Sequence, residues 1–260
     1  MTYEAFDLTG KVALVTGGNG GIGLGFAEAV AAAGADVCIW GTNKAKNAAA
    51  LEKLKAHGTH AAAFQCNVAD DQQVEGVFQQ VLKEFKRVDA CFANAGVYGR
   101  ANSFIEITAE EWNRVIGVNL NGAFYTFRAA ARHMVERAKS NDPGGRLIGT
   151  ASLAAISGAA RNEQYAASKG GMISMIKALA VEFARYGVTA NAILPGWIET
   201  DMTQGVFSWK KFVDAVMPRI PLKRWGRPED FGAIAVYLMS GASSYHSGES
   251  FCIDGGYAVF

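Results

Sequence analysis

The chain has 260 residues, half of them hydrophobic, and 25 Lys+Arg against 24 Asp+Glu leave a net charge of +1. That length and apolar content allow a large buried core and argue against disorder. With no basic stripe, no apolar run long enough to span a membrane and no basic-then-apolar leader at Met1–Asp7, neither nucleic acid nor membrane is expected as a partner, and a cytoplasmic protein is.

Short apolar runs alternate with helix-compatible segments. Strands are expected at 11–16, 36–40, 61–66, 88–92, 146–151, 188–194 and near 250–253. Most are continuously apolar, the pattern of strands buried on both faces. Helices are expected at about 21–33, 44–57, 70–86, 109–137, 163–186 and 228–239. Repeated βα units of this kind predict an α/β fold, a Rossmann-type doubly wound parallel sheet of about seven strands with helices on both faces. No linker divides the chain, so one domain over 1–260 is expected. Ligands in such sheets bind at the carboxyl ends of the strands.

The first strand runs into Thr16-Gly17-Gly18-Asn19-Gly20-Gly21-Ile22-Gly23, which carries G-x-G-x-x-G at Gly18, Gly20 and Gly23 and T-G-x-x-x-G-I-G from Thr16. Glycines between strand and helix let a pyrophosphate approach the helix N-terminus, whose free N–H groups and dipole favour anions. The second strand ends in Trp40-Gly41-Thr42-Asn43-Lys44, with no Asp or Glu to take a ribose 2′-hydroxyl and no Arg for a 2′-phosphate. Thr42, Asn43 and Lys44 either bond a phosphate or cap the next helix. The missing carboxylate tilts the expectation to NADP(H) over NAD(H). Asn67-Val68 and Asn94-Ala95-Gly96 close the third and fourth strands, where they are placed to line adenine and ribose or to serve close packing.

The fifth strand ends at Ser152. It is not in a G-x-S-x-G elbow, so a hydroxyl that bonds a carbonyl oxygen fits better than a hydrolase nucleophile. Thirteen residues on comes Tyr165-Ala166-Ala167-Ser168-Lys169 at the start of a helix. Residues i and i+4 share a helix face, so an ammonium stands near a phenol and favours its ionised form. A free Tyr titrates near pH ~10, and a general acid/base works best nearer neutrality. Asn119, an amide inside an apolar helical segment, is expected to bend the helix or hold a water. Cys38, Cys66, Cys91 and Cys252 each stand alone in apolar runs and are expected to be buried thiols. His57, His60, His133 and His246 show no metal-binding spacing, so no metal site is expected.

Together these segments resemble the short-chain dehydrogenase/reductase family across essentially the whole chain, through Pro195-Gly196, Arg224-Trp225-Gly226-Arg227-Pro228 and Asp254-Gly255-Gly256. The resemblance implies a nicotinamide-dependent oxidoreductase that interconverts a ketone and a secondary alcohol. Tyr165 would be the general acid/base, and Lys169 would lower its pKa and bind ribose hydroxyls. Ser152 would orient the carbonyl, and Asn119 would hold a water in a proton relay. Gly17, Asn19, Gly21, Ile22 and Gly23 would hold the pyrophosphate, with Thr42 and Asn43 at the adenosine ribose and Asn67 and Val68 at adenine. Asn94, Gly96, Pro195, Gly196, Ile198 and Thr200 would border the nicotinamide half. Two departures stand out: Asn67 replaces an Asp common in the family, and Gly20 replaces a basic residue that many NADP-dependent members carry.

After Pro195-Gly196 the family has a mobile segment. Here 199–221 includes Trp209, Phe212, Val213, Val216 and Met217, spaced as one apolar helical stripe, expected to be either a substrate lid or a packing surface. Tyr98, Leu153, Asn162 and Trp197 are further pocket candidates. The substrate is open among 3-oxoacyl thioesters, sugars or polyols, and small cyclic or aromatic alcohols. A non-catalytic dinucleotide-binding scaffold is the reading from another class. A homotetramer is expected from the resemblance.

Overall fold

The computed structural model of the protein describes residues 4–99 and 101–260. Strands β1 (Val12–Thr16), β2 (Asp36–Gly41), β3 (Ala61–Gln65), β4 (Ala90–Ala93), β5 (Gly145–Thr150), β6 (Val188–Pro195) and β7 (Ser250–Ile253) form a single sheet in the order β3-β2-β1-β4-β5-β6-β7. Every neighbouring pair is parallel. The order reverses between β1 and β4, so the crevice of this doubly wound α/β fold opens where their carboxyl ends part.

Strand side chains alternate between two cores. Val12, Leu14, Cys38, Trp40, Cys91 and Leu147 face one layer of helices: α3 (Asp71–Phe85), α5 (Gly122–Lys139) and α7 (Glu163–Phe183). Ala13, Val15, Val37, Ile39, Phe92 and Ile148 face the other: α1 (Gly21–Ala32), α2 (Lys44–Lys55) and α10 (Gly232–Met239). Both faces are dry, which is why the strands read as continuous apolar runs. Local chemistry sets the helix starts. Asn43 caps α2 by accepting from the Lys46 N–H (3.0 Å), and Asp70 caps α3 by accepting from the Gln73 N–H (3.1 Å).

Four expectations change. The segment 109–137 is not one regular helix: α4 (Ala109–Ile116) passes through a π turn, Gly117–Asn121, into α5. The segment 228–239 starts as a 3₁₀ turn, Pro228–Phe231, before α10. Between β5 and α7 lies a short α6 (Ala154–Ser157) that no periodicity announces. Cys38, Cys66 and Cys91 are buried, but Cys252 is exposed, because β7 is an edge strand with alternate residues turned outward.

Candidate active site

The carboxyl ends of β1, β4 and β5 are locked together by polar side chains. The Thr16 hydroxyl oxygen accepts from the N–H groups of Asn94 and Ala95, each at 3.0 Å. Asn94 donates from Nδ2 to the Thr16 carbonyl (3.0 Å) and accepts at Oδ1 from the Thr150 hydroxyl (3.2 Å). The Asn94-Ala95-Gly96 turn thus does both things the sequence allowed: it braces three strands, and it borders a cavity.

That cavity, about 350 Å³, is lined by Gly17, Asn19, Gly21, Ile22, Asn94, Gly96, Tyr165, Lys169, Pro195, Gly196, Ile198 and Thr200 among others. Gly17 has φ +63°, and a Cβ there would sit 3.1 Å from the Ala95 Cα. A Cβ at Gly23 would sit 2.3 Å from the Gly17 carbonyl oxygen. Both glycines are therefore required for the loop to fold back over α1. The α1 N-cap, Gly20, brings no side chain to the first-turn N–H groups. That turn offers an anion its N–H donors at the cavity wall, which fits a dinucleotide pyrophosphate.

Other expected coenzyme residues do not line this cavity. Gly23 lies beneath the loop. Asn43 spends its side chain capping α2, and the Thr42 carbonyl accepts from Gln65 (3.0 Å). Asn67 braces its own turn by accepting from the Ala69 N–H (3.2 Å), and Val68 packs where a Cβ on Gly122 would touch it.

A second cavity, about 510 Å³, lies beyond Tyr165. Leu153, Trp197, Met202, Val206, Phe212 and Tyr257 give it apolar walls, and Ser157 and Asn162 add polar points. Among its described lining residues none is charged. The expected stripe over 199–221 breaks into α8 (Gln204–Phe207) and α9 (Lys210–Val216). Trp209 caps α9 and is exposed, so only part of the stripe turns inward. Phe212 meets Trp197 edge-on at 4.9 Å, and Phe207 stacks on Trp225 at 4.1 Å.

The two cavities share Tyr98, Ser152, Tyr165, Pro195, Gly196 and Met202. Tyr165 is the third residue of α7, and Lys169 follows one turn on, 3% exposed, its Nζ donating to the Thr150 carbonyl at 2.6 Å. The ammonium lies 5.6 Å from the centre of the Tyr165 ring. Burial pushes the Lys169 pKa down to about 8. Burial also raises Tyr165 well above the ordinary phenol range; the neighbouring Tyr98 adds to the rise and the Ser152 hydroxyl opposes it. Lys169 is not among the groups that set this shift; desolvation of the phenol dominates it.

Asn119 is fully buried in the π turn. It accepts from the Val97 N–H (2.8 Å) and donates to the Val97 carbonyl (3.0 Å) and the Ser168 hydroxyl (3.1 Å). It pins the 95–97 turn to α7 one residue before Lys169. A Cβ on Gly96 would lie 3.4 Å from the Asn119 Oδ1 and 3.6 Å from the Lys169 Nζ. Sequence reasoning missed Met202, Val206 and Lys46 at these walls, and no motif marks them. It named Tyr98 only as a wall; Tyr98 in fact packs on Tyr165, ring centres 4.6 Å apart.

A glycine loop at a parallel-sheet crevice and a buried Tyr–Lys pair where two cavities meet define a nucleotide-dependent oxidoreductase fold, and the chain belongs to the short-chain dehydrogenase/reductase family. The family described as Enoyl-(Acyl carrier protein) reductase matches residues 17–258. The 2-dehydro-3-deoxy-D-gluconate 5-dehydrogenase of Pseudoalteromonas atlantica is 39% identical over 98% of each chain. The 3-oxoacyl-(acyl-carrier-protein) reductase FabG of Chlamydia pneumoniae is 36% identical over 96% of this chain and 97% of its own. Among solved structures, a gluconate 5-dehydrogenase from Burkholderia cenocepacia in complex with NADP and tartrate superposes with a TM-score of 0.92 at 30% identity, covering 99% of this chain and 98% of its own.

Proposed function

We propose that this enzyme reduces and re-oxidises an uncharged, largely apolar carbonyl compound, with NADP(H) or NAD(H) in the glycine-loop cavity. The observation that carries this reading is the shared wall: Ser152 and Tyr165 border both cavities, and the far cavity is apolar and uncharged among its described residues. The nicotinamide nucleotide supplies the hydride when bound. Gly17, Asn19, Gly21 and Ile22 would hold its pyrophosphate, and Lys169, Gly96, Ile198 and Thr200 its nicotinamide half.

The chain's own residues do the rest. Ser152 donates a hydrogen bond to the carbonyl oxygen and stabilises charge developing there. Tyr165 gives its phenol proton to that oxygen in reduction and takes it back in oxidation. Lys169 keeps positive charge beside the phenol, and its Thr150 tether fixes its aim. Asn119 holds the turn that closes the site behind Lys169. Segment 199–221 brings Met202, Val206 and Phe212 over the substrate as a lid that excludes water. A charged sugar acid would lose its hydration against these walls without a described cation to replace it, which favours a cyclic, aromatic or aliphatic ketone.

The assay follows nicotinamide absorbance with NADH and NADPH separately against hydrophobic ketones, 3-oxoacyl thioesters and sugar ketones. Turnover of hydrophobic ketones, cut by about a hundredfold or more in Tyr165→Phe with coenzyme binding retained, is expected. Near-normal turnover in that variant overturns the mechanism, and turnover confined to sugar acids overturns the substrate class.

Assembly as a homotetramer is supported by exposed apolar side chains on α5 (Phe124), α7 (Val181) and the tail (Val259, Phe260). Residence in the cytoplasm is supported by the three buried free thiols. Among the described residues no helix is long and apolar enough to cross a membrane.

A further inference from the structure

The substrate cavity has a polar corner that proton transfer does not use. Asn162 lines it, three residues before Tyr165. It is the N-cap of α7, and its backbone carbonyl accepts from the Tyr165 and Ala166 N–H groups at 3.0 and 3.1 Å. An N-cap asparagine ordinarily turns its side chain onto the N–H groups of the first turn. Asn162 makes no such bond. Its Oδ1 instead accepts from the Gly99 N–H at 2.9 Å, across 63 residues of chain. That bond fixes the orientation of the amide, because only its oxygen can accept. Nδ2 keeps two hydrogens and has no partner among the described residues.

The wall around Asn162 is built to hold it still. A Cβ on Gly99 would collide with the Asn162 Oδ1 and with the Gln164 Nε2, so position 99 has no room for a side chain. Gln164, behind this wall, is fully buried, and neither end of its amide is hydrogen-bonded. An unpaired buried amide costs stability, and such costs gather where a site is shaped for function.

The other lining side chains with donors are differently placed. Ser152 and Tyr165 serve the reacting oxygen, and Tyr98 packs on Tyr165 at that same end. The Ser157 hydroxyl is spent on the Leu153 carbonyl at 2.9 Å. The Trp197 indole and the Tyr257 phenol belong to an aromatic cluster, with Trp197 edge-on to Phe212 and Tyr257 at 4.9 and 6.3 Å. No hydrogen bond among the described residues orients either ring. Apart from Ser152, Asn162 is therefore the lining side chain that is both locked and left with a free donor, and it stands on the same helix start as the general acid. A donor fixed in this way rewards a ligand acceptor and discriminates strongly against an analogue that lacks one.

We propose that Asn162 is a specificity-determining residue that donates from Nδ2 to a second oxygen of the substrate. The substrate class is then narrowed to otherwise apolar ketones that carry a further carbonyl, ether or hydroxyl oxygen a few bonds from the reacting carbon. The proposal rests on the reading of this cavity as the site of an uncharged ketone.

The test compares matched substrates. Reduction of tetrahydropyran-4-one, 4-methoxycyclohexanone and cyclohexane-1,4-dione is measured against cyclohexanone, near pH ~8, where an added carboxylate is ionised. The second oxygen in each of the three can accept a hydrogen bond and cannot donate one. The readout is the ratio of kcat/KM between each ketone and cyclohexanone, which damage common to all substrates does not move. The wild type should favour at least one oxygenated ketone by about tenfold. Asn162→Asp keeps the acceptor for the Gly99 N–H and loses the donor; Asn162→Ala loses both. Both variants should bring the ratio to about one. A wild type without preference overturns the proposal, as does a preference that survives in Asn162→Asp. A wild type that reduces none of the four ketones, cyclohexanone included, overturns the underlying reading of the cavity, a result distinct from the other two.

Discussion

Replacing Lys169 with Met should make the protein respond to pH in a way that isolates one buried charge. Lys169 is 3% exposed, and burial brings its pKa from 10.5 to about 8. The unfolded chain keeps the proton up to its ordinary pKa, whereas the folded chain sheds it near 8. Between those values the unfolded state binds more protons, so folding stability rises with pH. At pH 7 the charge costs the fold about 3 kcal/mol, and about 2.5 kcal/mol of this is regained by pH 10. Lys169→Met removes that dependence while adding a constant offset from the lost bond to the Thr150 carbonyl. Melting temperatures of both proteins, measured without nucleotide from pH 7 to pH 10, should therefore diverge steadily. The wild type should gain about 5–10 °C on the variant across that range. Parallel curves would refute the reasoning, since they would mean that the lysine enters the fold without a charge penalty.

Two further outcomes follow from the same site. Asn119→Ala removes both bonds to Val97 and the one to Ser168, and should cost about 2–3 kcal/mol in chemical denaturation; an unchanged midpoint would deny Asn119 its bracing role. Tyr98→Phe removes a hydroxyl that raises Tyr165, so the basic limb of the pH–rate profile should move to lower pH, while a merely structural wall would leave that limb in place.

The βαβ rhythm was readable because both sheet faces are buried, so each strand announces itself as an apolar run and each turn as glycine or a capping residue. Ser152, Tyr165 and Lys169 were readable because their chemistry needs fixed positions at a strand end and on one helix face. What escaped the sequence lies where local and distant forces disagree. The π turn at Gly117–Asn121 is dictated by bonds from Asn119 to Val97, far along the chain, and helix periodicity carries no trace of them. The stripe over 199–221 predicted one helix, but Trp209 caps α9 instead of lying within it. Cys252 sits in an apolar run that looks like its buried neighbours, and only its place at the sheet edge exposes it. Lys46 looks like any solvated lysine of a helix until the fold brings Asp201 across to it.

The π turn also sets a length rule for the chain. It holds one residue more than a regular helix would need between α4 and α5, and each residue of an α-helix turns the chain by about 100°. Deleting one residue within 117–121 would leave a regular helix with α5 still in phase, whereas forcing the same residues into regular α geometry with none removed would rotate α5 by that angle against α4. Ala123, Phe127, Ala130 and Met134, now buried against the sheet, would swing away from it. With every residue kept, the helix cannot be made regular without giving up its own packing face, so an apparent irregularity in the backbone is what keeps two helical segments in phase with different neighbours.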